Sequence, residues 1–171
     1  IEFKRNNNII NSLRIGYETL LELKENLILC DTCLSHDSSG IHDDQKKELE
    51  SKEIINDLVK QNVDLTYSIR DSLIRGDLTK FGKQLDQGWR NKKQFSKKIS
   101  NKKLDKIYNT AIENGALGGK LLGAGGGGFF IFYCDPMKRW EVVRSLNKIK
   151  AKVVEFNFEN EGLVSWKIRK K

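Results

Sequence analysis

The richest chemistry in the chain lies in residues 115–129, Gly-Ala-Leu-Gly-Gly-Lys-Leu-Leu-Gly-Ala-Gly-Gly-Gly-Gly-Phe, of which eight of fifteen are glycine. Each glycine costs backbone entropy on folding, roughly 0.5–1 kcal/mol relative to alanine in regular structure. Four in succession, at Gly125, Gly126, Gly127 and Gly128, are hard to explain by packing alone. Such a run permits positive φ and lets a phosphate or another backbone approach the main chain closely. Two familiar phosphate motifs fail here. Residues 123–128 satisfy G-x-G-x-x-G, but that fingerprint needs a helix after it, and a strand-like run, Phe-Phe-Ile-Phe-Tyr-Cys, follows. A Walker A loop fails because Asn114 stands where its first glycine belongs and Leu121 follows Lys120. A plain glycine hairpin between two core strands stays open as the alternative.

Cationic chemistry is concentrated just upstream. Between Trp89 and Lys106 lie Arg90, Lys92, Lys93, Lys97, Lys98, Lys102, Lys103 and Lys106 against Asp105 alone, so this segment carries +7 of the chain's net +8. It suits a phosphorylated ligand or nucleic acid, although a lysine-rich solvated face reads the same way. Only Phe95 and Tyr108 lie near as aromatics, and no nucleic-acid motif is present, so a basic nucleic-acid-binding module is the weaker reading. Cys30, Cys33, His36 and His42 could ligate zinc, but Cys30 ends an apolar run and the Cys-to-His gap is far shorter than in a finger. With only those two histidines, both in one polar stretch, a hydrolase triad is not expected.

The elements that must position these groups follow from periodicity and punctuation. Asn6-Asn7-Asn8 tolerates positive φ and predicts a hairpin between residues 1–5 and 9–15. Residues 17–25 predict a short helix and 27–30 a buried strand, followed by a polar loop over 31–52. Three helices come next. Ile54, Ile55, Leu58, Val59, Leu65, Ile69 and Leu73 share one broad face of the first, ended by Gly76. Asp77 caps the second, with Leu78, Phe81, Leu85 and Trp89 in a stripe; Asn101 caps the third, with Leu104, Ile107, Tyr108 and Ala111. Asn114-Gly115 closes that helix. Extended residues 116–122 and 129–134 then flank the glycine bend, Pro136 opens a last helix, and residues 153–158 and 163–168 predict two more strands. This order predicts one α+β domain with a mainly antiparallel sheet.

With these residues in view, the glycine run resembles the third conserved motif of the GHMP kinases, the galacto-, homoserine, mevalonate and phosphomevalonate kinases. The wider stretch is similar to the heptose 7-phosphate kinase branch: Leu85-Asp-Gln-Gly-Trp-Arg-Asn-Lys92-Lys93, Ile99-Ser-Asn, residues 115–129 and Phe132-Tyr-Cys. Ile1-Glu2-Phe3 resembles a strand near the middle of such enzymes. The resemblance implies a ferredoxin-like C-terminal domain over residues 1–171, with helices packed on one face and residues 1–26 as the trailing edge of an upstream domain. It implies that Gly123, Ala124, Gly125, Gly126, Gly127 and Gly128 support the nucleotide-phosphate loop. Lys92 and Lys93 become candidates for the sugar phosphate, since an ammonium supplies charge and hydrogen bonds; Trp89 is read as core. The implied reaction transfers the γ-phosphate of ATP, with Mg2+, to the anomeric hydroxyl of D-glycero-D-manno-heptose 7-phosphate, for nucleotide-heptose and surface polysaccharide (lipopolysaccharide) synthesis.

The family's ATP loop, Pro-x-x-x-Gly-Leu-x-Ser-Ser-Ala, and its catalytic aspartate are not found in this sequence, so no catalytic residue is assigned and the chain alone is not expected to turn over substrate. The family often carries Arg where His36 stands, which leaves His36 without a substrate role. The partners implied are an N-terminal kinase half, a sugar phosphate and, as a further option, a second copy of the chain. The sole methionine is Met137 and the chain opens at Ile1 within a strand-like run, so Ile1 is read as an interior boundary of a longer protein; the alternative is a catalytically inactive interaction fragment. The three cysteines are an odd number and do not form a disulfide framework, which points to the cytoplasm. No apolar run approaches the ~20 residues of a membrane span.

Overall fold

A computed structural model describes residues 1–34, 53–159 and 161–168. The predicted polar loop from residue 35 onward, with His36 and His42, lies outside the described residues. The described elements run β1 (Glu2–Lys4), β2 (Asn7–Ile9), α1 (Tyr17–Asn26), β3 (Leu27–Asp31), α2 (Glu53–Arg75), α3 (Leu78–Gln94), α4 (Lys102–Glu113), β4 (Ala116–Leu121), β5 (Phe129–Cys134), α5 (Pro136–Lys148) and β6 (Lys152–Val154). Among the described residues no helix is long and apolar enough to cross a membrane.

The starts and stops follow the side chains that the sequence supplies. Asp77 accepts a hydrogen bond from Lys80 N at 3.0 Å and opens α3. Asn101 caps α4 by accepting from Lys103 N and Leu104 N. Asp135 accepts from Met137 N at 2.8 Å, with Pro136 in the first turn of α5. Each satisfies backbone donors that a helix start leaves without partners. Gly76 and Gly115, at φ of 71° and 113°, take the backbone out of α2 and α4.

Strands β4, β5, β3 and β6 form a four-stranded antiparallel sheet in that order, and β1 pairs with β2 in a separate hairpin. Taken from β3, the chain runs strand, helices, two hairpin strands, helix, strand, which is the ferredoxin-like order. Phe130 opposes Cys30 across one pairing and Leu121 across the other, so β5 occupies the centre. Its side chains alternate as a strand requires. Phe130, Phe132 and Cys134 join Trp89, Leu104, Ile107, Val142 and Leu146 in the larger core, under α4 and α5. Tyr133, with Ile131 packed beside it, joins Leu23, Leu27, Leu78, Phe81 and Leu85 in a second core on the opposite face. The one-face arrangement therefore holds for α4 and α5, and the sheet gains a second cover from α1, α2 and the first half of α3.

Helix α3 reaches both cores because glycine lets it lie close to β4. A Cβ built on Gly118 would meet Gly82 O at 2.0 Å, and one on Gly82 would meet the Tyr133 ring at 2.5 Å. Three sequence expectations are trimmed. The first hairpin turns at Arg5 and Asn6, so Asn7 and Asn8 lie in its second strand, which ends at Ile9 and does not run on to residue 15. Residues 163–168 do not form a strand, and the strand predicted over 153–158 is limited to Lys152–Val154. Apolar alternation makes a strand only where an edge is available to pair with, and none of the described strands borders residues 163–168.

Candidate functional site at the glycine bend

Residues 122–128 link β4 to β5 and turn back over the end of β3. Leu122 N donates to Phe129 O at 2.8 Å and closes the bend at its neck. Thr32 holds the far side, donating to Gly128 O from its backbone N at 2.9 Å and from its hydroxyl at 2.7 Å. Gly126 N donates to Ile99 O at 2.9 Å and Gly128 N to Leu34 O at 3.2 Å. The bend is thus fixed by main chain from three directions.

The glycines divide by what surrounds them. Gly125 would place a Cβ 2.9 Å from Ile99 Cα, and Gly127 would place one 2.5 Å from Leu34 O. These two, with Gly118 and Gly119, are glycine because neighbouring backbone or ring atoms fill the space, so packing explains more of the run than its composition indicates. Gly123 differs: it is exposed, has φ of 72°, and nothing lies within 4 Å of its Cβ position. Among the described residues, the amides of Gly123, Ala124, Gly125 and Gly127 donate to no protein acceptor. A bend with uncommitted N–H groups is suited to anions.

The two candidate lysines separate sharply. Lys92 turns onto the bend: its Nζ donates to Leu121 O at 3.1 Å and also to Gly123 O. Burial first, and the charge of Lys120 second, lower its pKa from an ordinary 10.5 to about 8. Lys93 points elsewhere, pairing with Asp105 at 3.5 Å and lying over the Trp89 ring at 5.6 Å from its centroid. Trp89 is fully buried against Phe130 and Tyr108, as a core residue should be. Arg90 is also committed, to Asp86 at 2.9 Å, and Asp86 further accepts from the Tyr108 hydroxyl. Part of the basic segment is therefore neutralised locally, while Lys97, Lys102, Lys103 and Lys106 remain exposed.

Sequence reasoning passed over Lys120. Its stem crosses α3 at Gly88, where a Cβ would come within 4.0 Å of its Cδ, one helical turn before Lys92. Burial lowers its pKa as well. The available signal was that Lys120 is the only charged residue inside the glycine run. Of the four zinc candidates, His36 and His42 lie outside the described residues, among which no group of three or more potential ligands converges. Cys30 is buried, its thiol pushed up to about 12, first by burial and then by Asp31 and Cys33.

Residues 69–152 match the family described as GHMP kinases C terminal. Over 98% of its length the chain is 34% identical to D-glycero-alpha-D-manno-heptose 7-phosphate kinase of Campylobacter jejuni, and covers 50% of that protein. A solved Campylobacter jejuni structure described as a sugar kinase is 32% identical with a TM-score of 0.68, over 97% of this chain and 46% of that one. A D-glycero-D-manno-heptose 1-phosphate kinase structure from Bacteroides thetaiotaomicron is 25% identical with a TM-score of 0.60, over 95% of this chain and 42% of that one. The chain spans about half the length of the curated relative it matches.

Proposed function

Because the chain belongs to the GHMP kinases through their C-terminal domain, we propose that it is one half of an ATP-dependent sugar kinase acting on D-glycero-D-manno-heptose 7-phosphate. The γ-phosphoryl group would pass to the anomeric hydroxyl, giving a sugar 1,7-bisphosphate for activated-heptose and surface polysaccharide synthesis. The observation that carries this reading is the likeness to the Campylobacter jejuni heptose kinase along nearly the whole chain, glycine run included. Residues 1–171 would act as the C-terminal unit, with residues 1–26 leading out of an N-terminal half that brings the ATP loop and the catalytic base.

Phosphoryl transfer depends chiefly on positioning and charge stabilisation. In this reading residues 123–128 form a rigid wall beside the ATP loop of the companion half, and their free amides face its phosphates. Lys92 holds the corner of that wall and adds positive charge. Magnesium would arrive bound to the nucleotide and would supply charge neutralisation at the phosphates.

The test supplies the N-terminal half of the Campylobacter jejuni heptose kinase in trans, or fused upstream of Ile1, and measures ADP release. Heptose 7-phosphate-dependent turnover is expected. Assembly of the two halves with no turnover on any sugar or sugar phosphate would leave an interaction fragment as the better description.

A further inference from the structure

We propose that Lys92 and Lys120 together form a phosphate-binding site at the exposed corner of the glycine bend, with the Gly123 amide completing it. The inference draws on the kinase reading only for whose phosphate is bound; the site itself stands on four observations.

First, the two side chains converge although they come from different elements. Lys120 leaves β4 and its Cδ lies 4.0 Å from the Cβ position of Gly88 on α3; Lys92 lies one turn further along the same helix, near enough for the charge of Lys120 to act on it. Second, both are half-buried, and among the described residues neither forms an ion pair, although Lys4, Arg70, Arg90, Lys93 and Lys138 all do. Two like charges held close out of water are costly unless an anion joins them. Third, donors are left over. An ammonium carries three N–H groups; Lys92 uses two on Leu121 O and Gly123 O, and Lys120 uses none among the described residues. Fourth, the neighbouring main chain is open. Gly123 has free space at its Cβ position, and its amide donates to no described acceptor.

The class of ligand follows from this arrangement. Two positive charges with several spare donors match a tetrahedral dianion better than a carboxylate, which balances only one of them. Lysine acts as a point charge toward phosphate, and backbone N–H groups supply the geometry. The phosphate could belong to a nucleotide or to a sugar phosphate, since the shared chemistry is the same.

The experiment titrates the full 171-residue chain with inorganic phosphate, ADP and glucose 6-phosphate at constant ionic strength. NMR follows the side-chain resonances of Lys92 and Lys120. Saturable movement of both is expected with at least one probe. K120M should weaken that binding roughly tenfold, as for loss of one charge-assisted hydrogen bond. K120R should recover most of it, and K83M, on an exposed part of α3, should change nothing. Tighter binding of ADP assigns the phosphate to the nucleotide; tighter binding of glucose 6-phosphate assigns it to the sugar. Two lysines unmoved by tens of millimolar phosphate would overturn the site, with no variant required. Equal weakening by K120M and K83M would also overturn it, by showing diffuse charge. If the two-half enzyme never turns over yet this titration saturates, the kinase reading fails and the phosphate site stands. If turnover is normal and both lysines stay silent, the reverse holds.

Discussion

Replacing Gly118 with alanine should be among the most damaging single-methyl additions in this fold. The added carbon would sit 2.0 Å from Gly82 O, 2.9 Å from Asp86 N and 3.0 Å from Gly82 C, all backbone atoms of α3. A carbon normally keeps about 3.3 Å from a carbonyl oxygen, so helix and strand must separate by about 1.3 Å. Separation would loosen Phe81, Leu85 and Trp89 against the sheet, because one helix carries all three. Overpacking of this kind costs typically about 1–3 kcal/mol. A rigid backbone obstacle puts Gly118 at the upper end, and the stiffer unfolded chain of the variant returns about 0.4–1 kcal/mol. The net loss is therefore about 2 kcal/mol, a large share of a total stability of roughly 5–15 kcal/mol. Urea unfolding followed by tryptophan fluorescence reads it directly. With a slope of about 2 kcal/mol/M the midpoint should fall by about 1 M. The control is Gly123→Ala, which meets no atom but must hold φ at 72°. It should lose only about 1 kcal/mol. If Gly118→Ala unfolds at the wild-type midpoint, or is milder than Gly123→Ala, glycine is not what seats α3 on β4.

Three further outcomes follow from particular side chains. Lys92 has a folded pKa of about 8 against an ordinary 10.5, so between those values the unfolded chain holds more protons and stability rises as the pH rises; the gain is about 1 kcal/mol after solvent screening, and K92M should abolish it in urea melts at pH 7.5 and 10. Of the three thiols, exposed Cys33 should react with Ellman's reagent at pH 8, while Cys30 and Cys134, buried and pushed up to about 12 and about 11, react only in urea. Three fast thiols in the native chain would contradict the core. Asn101→Ala removes the acceptor for Lys103 N and Leu104 N and should lower stability by about 1 kcal/mol in the same melts, whereas Asn101→Asp should keep it.

Local features of the fold were legible because they rest on neighbours in sequence. Asp77, Asn101 and Asp135 cap the helices that follow them, and Gly76 and Gly115 turn the chain where their positions foretold. What could not be read depended on distant partners. Gly118 and Gly123 look alike in a run of glycines, yet the first is fixed by α3 and the second by nothing. Lys92 and Lys93 are adjacent, yet neighbours on a helix point about 100° apart, and only the packing of α3 decides that Lys92 faces the bend while Lys93 faces Asp105. Residues 163–168 alternate as a strand should, but pairing needs an edge that lies outside their own sequence.

The division of labour within the glycine run bears on how it can act. A loop of flexible glycines would meet a phosphate only after losing conformational freedom, and that loss would subtract from binding. Here the freedom is already spent. Ile99 and Leu34 hold Gly125, Gly126, Gly127 and Gly128 by contact and hydrogen bond, Thr32 fixes Gly128 from below, and Lys92 ties the two carbonyls at the opposite corner. The amides left over are those the fold has no use for, and they are held in place by neighbours that do use theirs. Glycine therefore serves two different ends in one segment. Where backbone crowds in, it permits the contact that makes the bend rigid. At Gly123 it keeps the corner open, and a side chain there would reduce access while leaving the rigid part intact. A substitution that loosens the packed half should thus weaken anion binding through lost order, and one at the open corner should do so with the fold's stability nearly kept.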